Sequence, residues 1–204
     1  MKSRRQFWNK VAPKYGKFMR NNQDTYDEAS KLIGQYLSKD SRVLELACGT
    51  GQFTFNLCQY VDSYTATDFS SEMIKHCIAK NSDSMVNFEL ADATQLCYDS
   101  GSFDVVVVAN ALHCMPDPAK ALAEISRVLK PNGLLIAPTF VIDQQPSKLR
   151  MFILNLIGFK TYNNWTSVEL SNFVKNNSFD VVKCENIMAK PLVECVLVAK
   201  KVNI

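Results

Sequence analysis

The stretch Arg42-Val-Leu-Glu-Leu-Ala-Cys-Gly-Thr-Gly-Gln-Phe-Thr54 decides the fold. Val43 to Ala47 is a short apolar run interrupted by one acid, Glu45, which is the composition of a buried strand. Gly49 and Gly51 come next, and helix-like spacing begins at Gln52. Strand, glycine turn and helix start together let a backbone pass close to a ligand. Glycine supplies torsion angles and clearance that a β-carbon would block, and the first helical turn offers unpaired N–H groups. Many nucleotide-binding folds have such a loop, so the residues at the tips of the later strands decide among them.

Tyr64 to Thr67 reads as a second strand ending in Asp68, and an acid at that strand tip can grip ribose hydroxyls. Val86 to Ala91 ends in Asp92, and Phe103 to Ala109 is followed by Asn110. Between the strands lie helices. Ser70 and Ser71 cap Glu72 to Lys80, whose expected buried stripe is Ile74, Cys77 and Ile78, with His76 outside. Asp117-Pro118 opens another helix with Leu122, Ile125, Val128 and Leu129 on one face. Lys130 to Gly133 ends it in a turn before a fifth strand, Leu134 to Phe140. Strands alternating with helices imply parallel pairing and right-handed crossovers. Phe179 to Ile187 and Leu192 to Lys200, joined at Lys190-Pro191, suit an antiparallel hairpin closing the sheet.

Ahead of the first strand, Ser3 to Met19 carries Phe7, Trp8, Val11, Tyr15 and Phe18 at helical spacings, interrupted at Pro13 into two short turns. Asp24 to Leu37 is an amphipathic helix covering one side of the sheet. Thr166 or Ser167 caps a late helix running to Asn176. Leu149 to Phe159 is apolar on more than one helical face, so its excess is core, dimer interface or ligand wall.

The 204 residues suit one domain, and 47% hydrophobic with 21% charged residues is a soluble globular balance. A net charge of +3 is too mild to demand nucleic acid or an anionic membrane. The seven cysteines are dispersed with no Cys-x-x-Cys pair, which reads as reduced thiols in a cytoplasmic protein without a metal cluster. No apolar run approaches the ~20 residues of a membrane span, and Met1 to Arg5 is not followed by a signal-peptide core.

Glu45-Leu-Ala-Cys-Gly-Thr-Gly51, Asp68-Phe-Ser-Ser-Glu-Met73, Ala91-Asp-Ala93, Asn110-Ala-Leu-His113 and Leu129-Lys-Pro-Asn-Gly133 occur in that order. In them the chain resembles the class I S-adenosylmethionine-dependent methyltransferases, of the small single-domain ubiquinone-biosynthesis-like type. One position departs: the family usually has glycine where Ala47 stands. The resemblance implies a Rossmann-like α/β fold with a seven-stranded, mostly parallel sheet, a C-terminal antiparallel hairpin and helices on both faces. It implies one domain over 1–204, with cap helices in 1–40 and substrate-side helices in 141–178.

It further implies methyl transfer from S-adenosylmethionine to a small-molecule acceptor by in-line displacement, leaving S-adenosylhomocysteine. Asp68 would hold the ribose, Asp92 and the Ala93 backbone the adenine, and Glu45 would sit beneath the methionine ammonium. Phe69 and Met73 would pack on the adenosine, and Ala47, Gly49, Gly51 and Asn110 would complete the wall. Tyr15 lies near the methionine end or is simply a core anchor. His113 is either a base for the acceptor or a structural histidine. Phe152 and Leu156 would line an apolar acceptor pocket, and no metal is called for. A monomer or weak dimer is expected.

Four other readings stand beside this one. A cofactor-binding regulatory protein or a protein-methylating relative would need the same residues. A nicotinamide-dependent dehydrogenase would want a third glycine where Thr54 stands. Nucleic-acid methylation would want a proline-aromatic motif where the chain reads Asn110-Ala-Leu-His113.

Overall fold

The computed structural model describes residues 2–19, 23–81, 86–143, 161–188 and 193–202. Seven strands are present: β1 Arg42–Leu46, β2 Ser63–Asp68, β3 Val86–Leu90, β4 Phe103–Val108, β5 Leu129–Val141, β6 Phe179–Met188 and β7 Val193–Lys201. They form one sheet in the order β3-β2-β1-β4-β5-β7-β6. The first five pair in parallel, and β7 runs antiparallel between β5 and β6. The last strand in sequence is therefore inserted, and β6 takes the edge.

Alternation along the central strands divides the interior into two layers, because successive side chains leave a strand on opposite faces. Leu44, Leu46, Val106 and Val108 face α5 (Pro118–Val128) and α6 (Ser167–Lys175), meeting Leu122, Ile125, Leu170 and Val174. Val43, Val105 and Val107 face the other way, towards α2 (Gln23–Gly34), α3 (Thr54–Leu57) and α4 (Ser71–Lys80). Tyr26, Ile33, Leu57 and Ile74 fill that layer. Helices cover both faces, as parallel strands buried on both sides require.

The helix ends are set by side chains. The Ser70 hydroxyl accepts from the Met73 N–H at the start of α4, and the Asp117 carboxylate accepts from Lys120 N–H at the start of α5. Thr166 and Glu169 form a reciprocal capping box on α6.

Four local expectations are corrected. α1 is one helix, Lys2–Met19, and passes through Pro13. That residue forgoes one backbone bond without ending the helix. The helix after the glycine loop is a single turn, Thr54–Leu57, followed by a 3-10 turn to Tyr60. The buried stripe of α4 is Met73, Ile74 and Cys77, while Ile78 is 56% exposed and His76 is half-buried. Residues 130–133 are a bulge inside β5 rather than a separate turn. Phe103 pairs with Leu129, but Val105 pairs with Leu134, and Asn132 takes a φ of 63°. The expected Lys190-Pro191 turn and the Leu149–Phe159 segment, with Phe152 and Leu156, lie outside the described residues.

Candidate active site

At the carboxyl ends of β1, β2 and β4 the chain encloses a cavity of about 350 Å³. Ligands of open α/β sheets bind at this end, and the volume is at the small end of ligand pockets. Three residues of the loop after β1 turn left-handed: Ala47 (φ 56°), Gly49 (φ 57°) and Gly51 (φ 84°). Gly51 has a packing reason as well, since an added Cβ would lie 2.4 Å from the Phe55 ring. Ala47 adopts the same backbone at a steric cost of about 1–2 kcal/mol, which glycine would not incur.

Asp68 ties this loop to the next one. Its Oδ2 accepts from the Gly49 N–H at 3.0 Å and its Oδ1 from the Ser70 N–H at 2.8 Å. The side chain lies on the cavity wall and is 5% exposed. Burial pushes its pKa up to about 6, against the lowering by the Ser70, Gly49 and Phe69 N–H groups.

Asp92 lies on the wall too, with Oδ1 accepting from the backbone and hydroxyl of Thr94 at 2.9 and 2.8 Å. Asn110, at φ 50°, is fixed on three sides. Its N–H donates to the Pro138 carbonyl, its Oδ1 accepts from the Phe140 N–H, and its Nδ2 donates to Glu194 Oε1 at 2.9 Å.

Nine of the eleven cofactor candidates line the cavity: Tyr15, Ala47, Gly49, Asp68, Phe69, Met73, Asp92, Ala93 and Asn110. Gly51 does not, and Glu45 lines a smaller cavity of about 30 Å³ that shares Tyr15, Ala47, Gly49 and Asn110 with the main one. That volume suits one water molecule. Thr54 Oγ1 and the Tyr64 hydroxyl both donate to Glu45 Oε2, at 2.5 and 3.0 Å. Burial nonetheless raises the Glu45 pKa to about 7.

His113 is brought close but is not on the wall. It is 4% exposed in a 3-10 turn, its ring lies 6.5 Å from that of Phe140, and burial lowers its pKa to about 4. The imidazole is neutral at pH 7, and among the described residues Ala111 and Cys114, not His113, line the cavity.

Three residues escaped the sequence reading. Glu194 on β7 is fully buried, and its Oε2 has no hydrogen bond among the described residues. Burial raises its pKa to about 7, against the one bond from Asn110. Its signal was available, because a lone acid in the apolar run 193–199 raises the question that Glu45 raises. Arg4 and Lys120, unlike Glu194, reach the cavity. The Arg4 guanidinium donates through Nη2 to the Cys114 carbonyl and lies 4.5 Å over the Tyr162 ring. Neither cation carried a sequence signal.

Glu45, Asp68 and Glu194 are thus three buried carboxylates with no ion pair among the described residues. Of the three only Asp68 stands on the main cavity wall, and a ligand bearing positive charge and hydroxyl donors is the chemistry that compensates it. S-adenosylmethionine, with a sulfonium, an ammonium and two ribose hydroxyls, fits this donor set. Among the described residues no group of three or more His, Cys, Asp or Glu is arranged to hold a metal, and no helix is long and apolar enough to cross a membrane.

The chain resembles known proteins in sequence and in fold. The family described as Methyltransferase domain matches residues 44–137. A chloroplastic uncharacterised methyltransferase of Arabidopsis thaliana is 36% identical over 56% of this chain and 34% of its own length. The demethylmenaquinone methyltransferase of Leptospira interrogans is 34% identical over 65% of this chain and 58% of its own. The chain therefore spans about a third to three fifths of these relatives' lengths. Among solved structures, Burkholderia thailandensis 1,6-didemethyltoxoflavin-N1-methyltransferase, with that compound and S-adenosylhomocysteine bound, superposes with a TM-score of 0.75 at 20% identity. The superposition covers 98% of this chain and 87% of that one. By its matched domain, its sheet order and its relatives, the chain is similar to the class I S-adenosylmethionine-dependent methyltransferases.

Proposed function

We propose that the chain transfers a methyl group from S-adenosylmethionine to a small, largely apolar acceptor of the kind the demethylmenaquinone methyltransferases are named for. The observation that carries this is the wall shared by Asp68, Asp92 and Asn110 around one cavity of about 350 Å³. When bound, the cofactor supplies a methyl group on a sulfonium whose charge already activates the leaving group. What remains for the protein is to hold the acceptor in line and keep water out.

In this reading Asp68 takes the ribose hydroxyls, with its carboxylate aimed by the Gly49 and Ser70 N–H groups. Asp92 and the Ala93 backbone take the adenine edge, between Phe69 and Met73. Glu45 and Asn110 set the polarity of the methionine end, where Tyr15 adds an aromatic wall. The helices within 1–40 act as a cap, since α1 contributes Arg4, Trp8 and Tyr15 to the cavity. The acceptor then meets Arg4, Trp8, Cys114, Met115, Pro116 and Lys120, the walls that the cofactor does not use. His113, neutral and off the wall, takes no proton from the acceptor.

The test is calorimetry with S-adenosylhomocysteine, then methyl transfer from labelled S-adenosylmethionine to demethylmenaquinone and shorter-tailed analogues. Binding with turnover of one of these supports the reading. Binding without turnover on any acceptor would favour a regulatory role, and no binding would overturn the site.

A further inference from the structure

Cys184 and Cys195 lie outside the methyl-transfer reading, on the antiparallel pair β6 and β7. Their sulfurs are 2.8 Å apart. Cys184 stands opposite Leu197 and Cys195 opposite Asn186, so the two are diagonal neighbours on one face of the ladder. They differ sharply in surroundings. Cys184 is exposed on the edge strand, while Cys195 is fully buried beneath it.

That asymmetry assigns the proton. Charge is cheaper on the solvated sulfur than on the buried one, so the Cys195 thiol donates and the Cys184 sulfur accepts. The donated hydrogen bond lowers the Cys184 pKa, and Ser171 adds to the effect, while burial and the charge of Asp143 oppose it. The same contact, with burial, raises Cys195. An accessible thiolate touching a protonated thiol is the arrangement of an attacking and a resolving cysteine.

We propose that Cys184 and Cys195 are a reversible thiol–disulfide couple, oxidised by a hydroperoxide, with Cys184 attacking and Cys195 resolving. The Cys184 thiolate attacks the terminal peroxide oxygen. The O–O bond breaks, the alkoxide leaves and takes a proton as the alcohol, and Cys184 becomes a sulfenic acid. The Cys195 sulfur then attacks the Cys184 sulfur. The S–O bond breaks, and hydroxide departs with the Cys195 proton as water. Two thiols lose two electrons to one hydroperoxide, giving a disulfide, an alcohol and a water. The two sulfurs already stand 2.8 Å apart, so closing the bond needs only a small further approach.

The experiment treats the full chain with hydrogen peroxide, blocks remaining thiols by alkylation, and maps the digest by mass spectrometry. The expected product is a peptide joining Cys184 to Cys195 that dithiothreitol separates. In Cys195→Ser the cross-link disappears and dimedone traps a sulfenic acid on Cys184. In Cys184→Ser, a change at an exposed position that keeps the core intact, Cys195 stays reduced. Oxidation of exposed Cys97 while Cys184 remains a thiol would overturn the proposal. So would conversion of Cys184 to a sulfinic acid in the unsubstituted chain without the joined peptide.

Discussion

Glu194→Gln isolates the electrostatic cost of the buried carboxylate behind Asn110. The carboxyl is fully buried, its Oε1 takes one hydrogen bond from Asn110, and burial lifts its pKa from 4.5 to about 7. A folded pKa above the unfolded one means that the native state keeps its proton where the unfolded chain has released it. The contribution of Glu194 to stability is therefore fully present below pH 4.5 and is lost as the pH rises through about 7. A rise of that size corresponds to on the order of 3 kcal/mol. Glutamine keeps the shape and can still accept from Asn110, but does not titrate. Its amide nitrogen, standing where Oε2 has no partner, adds a pH-independent cost of about 1–3 kcal/mol.

The quantity to measure is variant minus unsubstituted stability of the ligand-free protein, by urea denaturation from pH 4.5 to 8. That difference should climb by on the order of 3 kcal/mol across the interval and then level. Glu45 and Asp68, both raised, and His113, lowered to about 4, titrate in both proteins and cancel. A flat difference, or one that falls with pH, would refute the claim that Glu194 is desolvated without adequate compensation.

Three further outcomes are expected at the site. Asp68→Ala should weaken S-adenosylhomocysteine binding at least tenfold in calorimetry, since each charge-assisted bond is worth roughly 1.5–3 kcal/mol; unchanged affinity in a folded variant would remove the ribose assignment. Ala47→Gly should leave stability unchanged or raise it by up to about 1 kcal/mol. Relief of the left-handed Cβ exceeds or matches the entropy that glycine adds to the unfolded chain, and a clear loss in denaturation would show that the Cβ packs usefully. Methyl transfer should survive exhaustive chelation, because the acids on the wall have hydrogen-bonding roles and none forms a ligand cluster among the described residues; activity restored only by added divalent metal would contradict this.

The succession of strands along the chain, the glycine loop and the acids at the strand tips were legible because each rests on a few consecutive residues. Val43 to Gly51 is strand and turn by local chemistry alone, and Asp68 is placed by the length of the helix between β1 and β2. Errors arose where a partner distant in sequence decides. Ile78 fits a helical stripe as well as Met73 does, but the cavity recruits Met73 into its wall. His113 stayed open between base and structural histidine for the same reason: Cys114 lines the cavity, while the histidine is buried with its carbonyl accepting from Tyr162 and Asn163.

Glu194 shows the same limit most clearly. Its bond to Asn110 joins residues 84 apart, and it exists only because β7 inserts between β5 and β6, opposite Phe140. Read as a hairpin at the end of the chain, β7 would hold an acid of no consequence. Inserted, the same strand delivers that acid to the back of the cavity wall, where the Asn110 amide bridges it to the Phe140 N–H of β5. The antiparallel pair thus does more than close the sheet. It places a desolvated carboxylate behind the residue that follows β4, and makes the polarity of the site depend on the part of the chain that matches no motif.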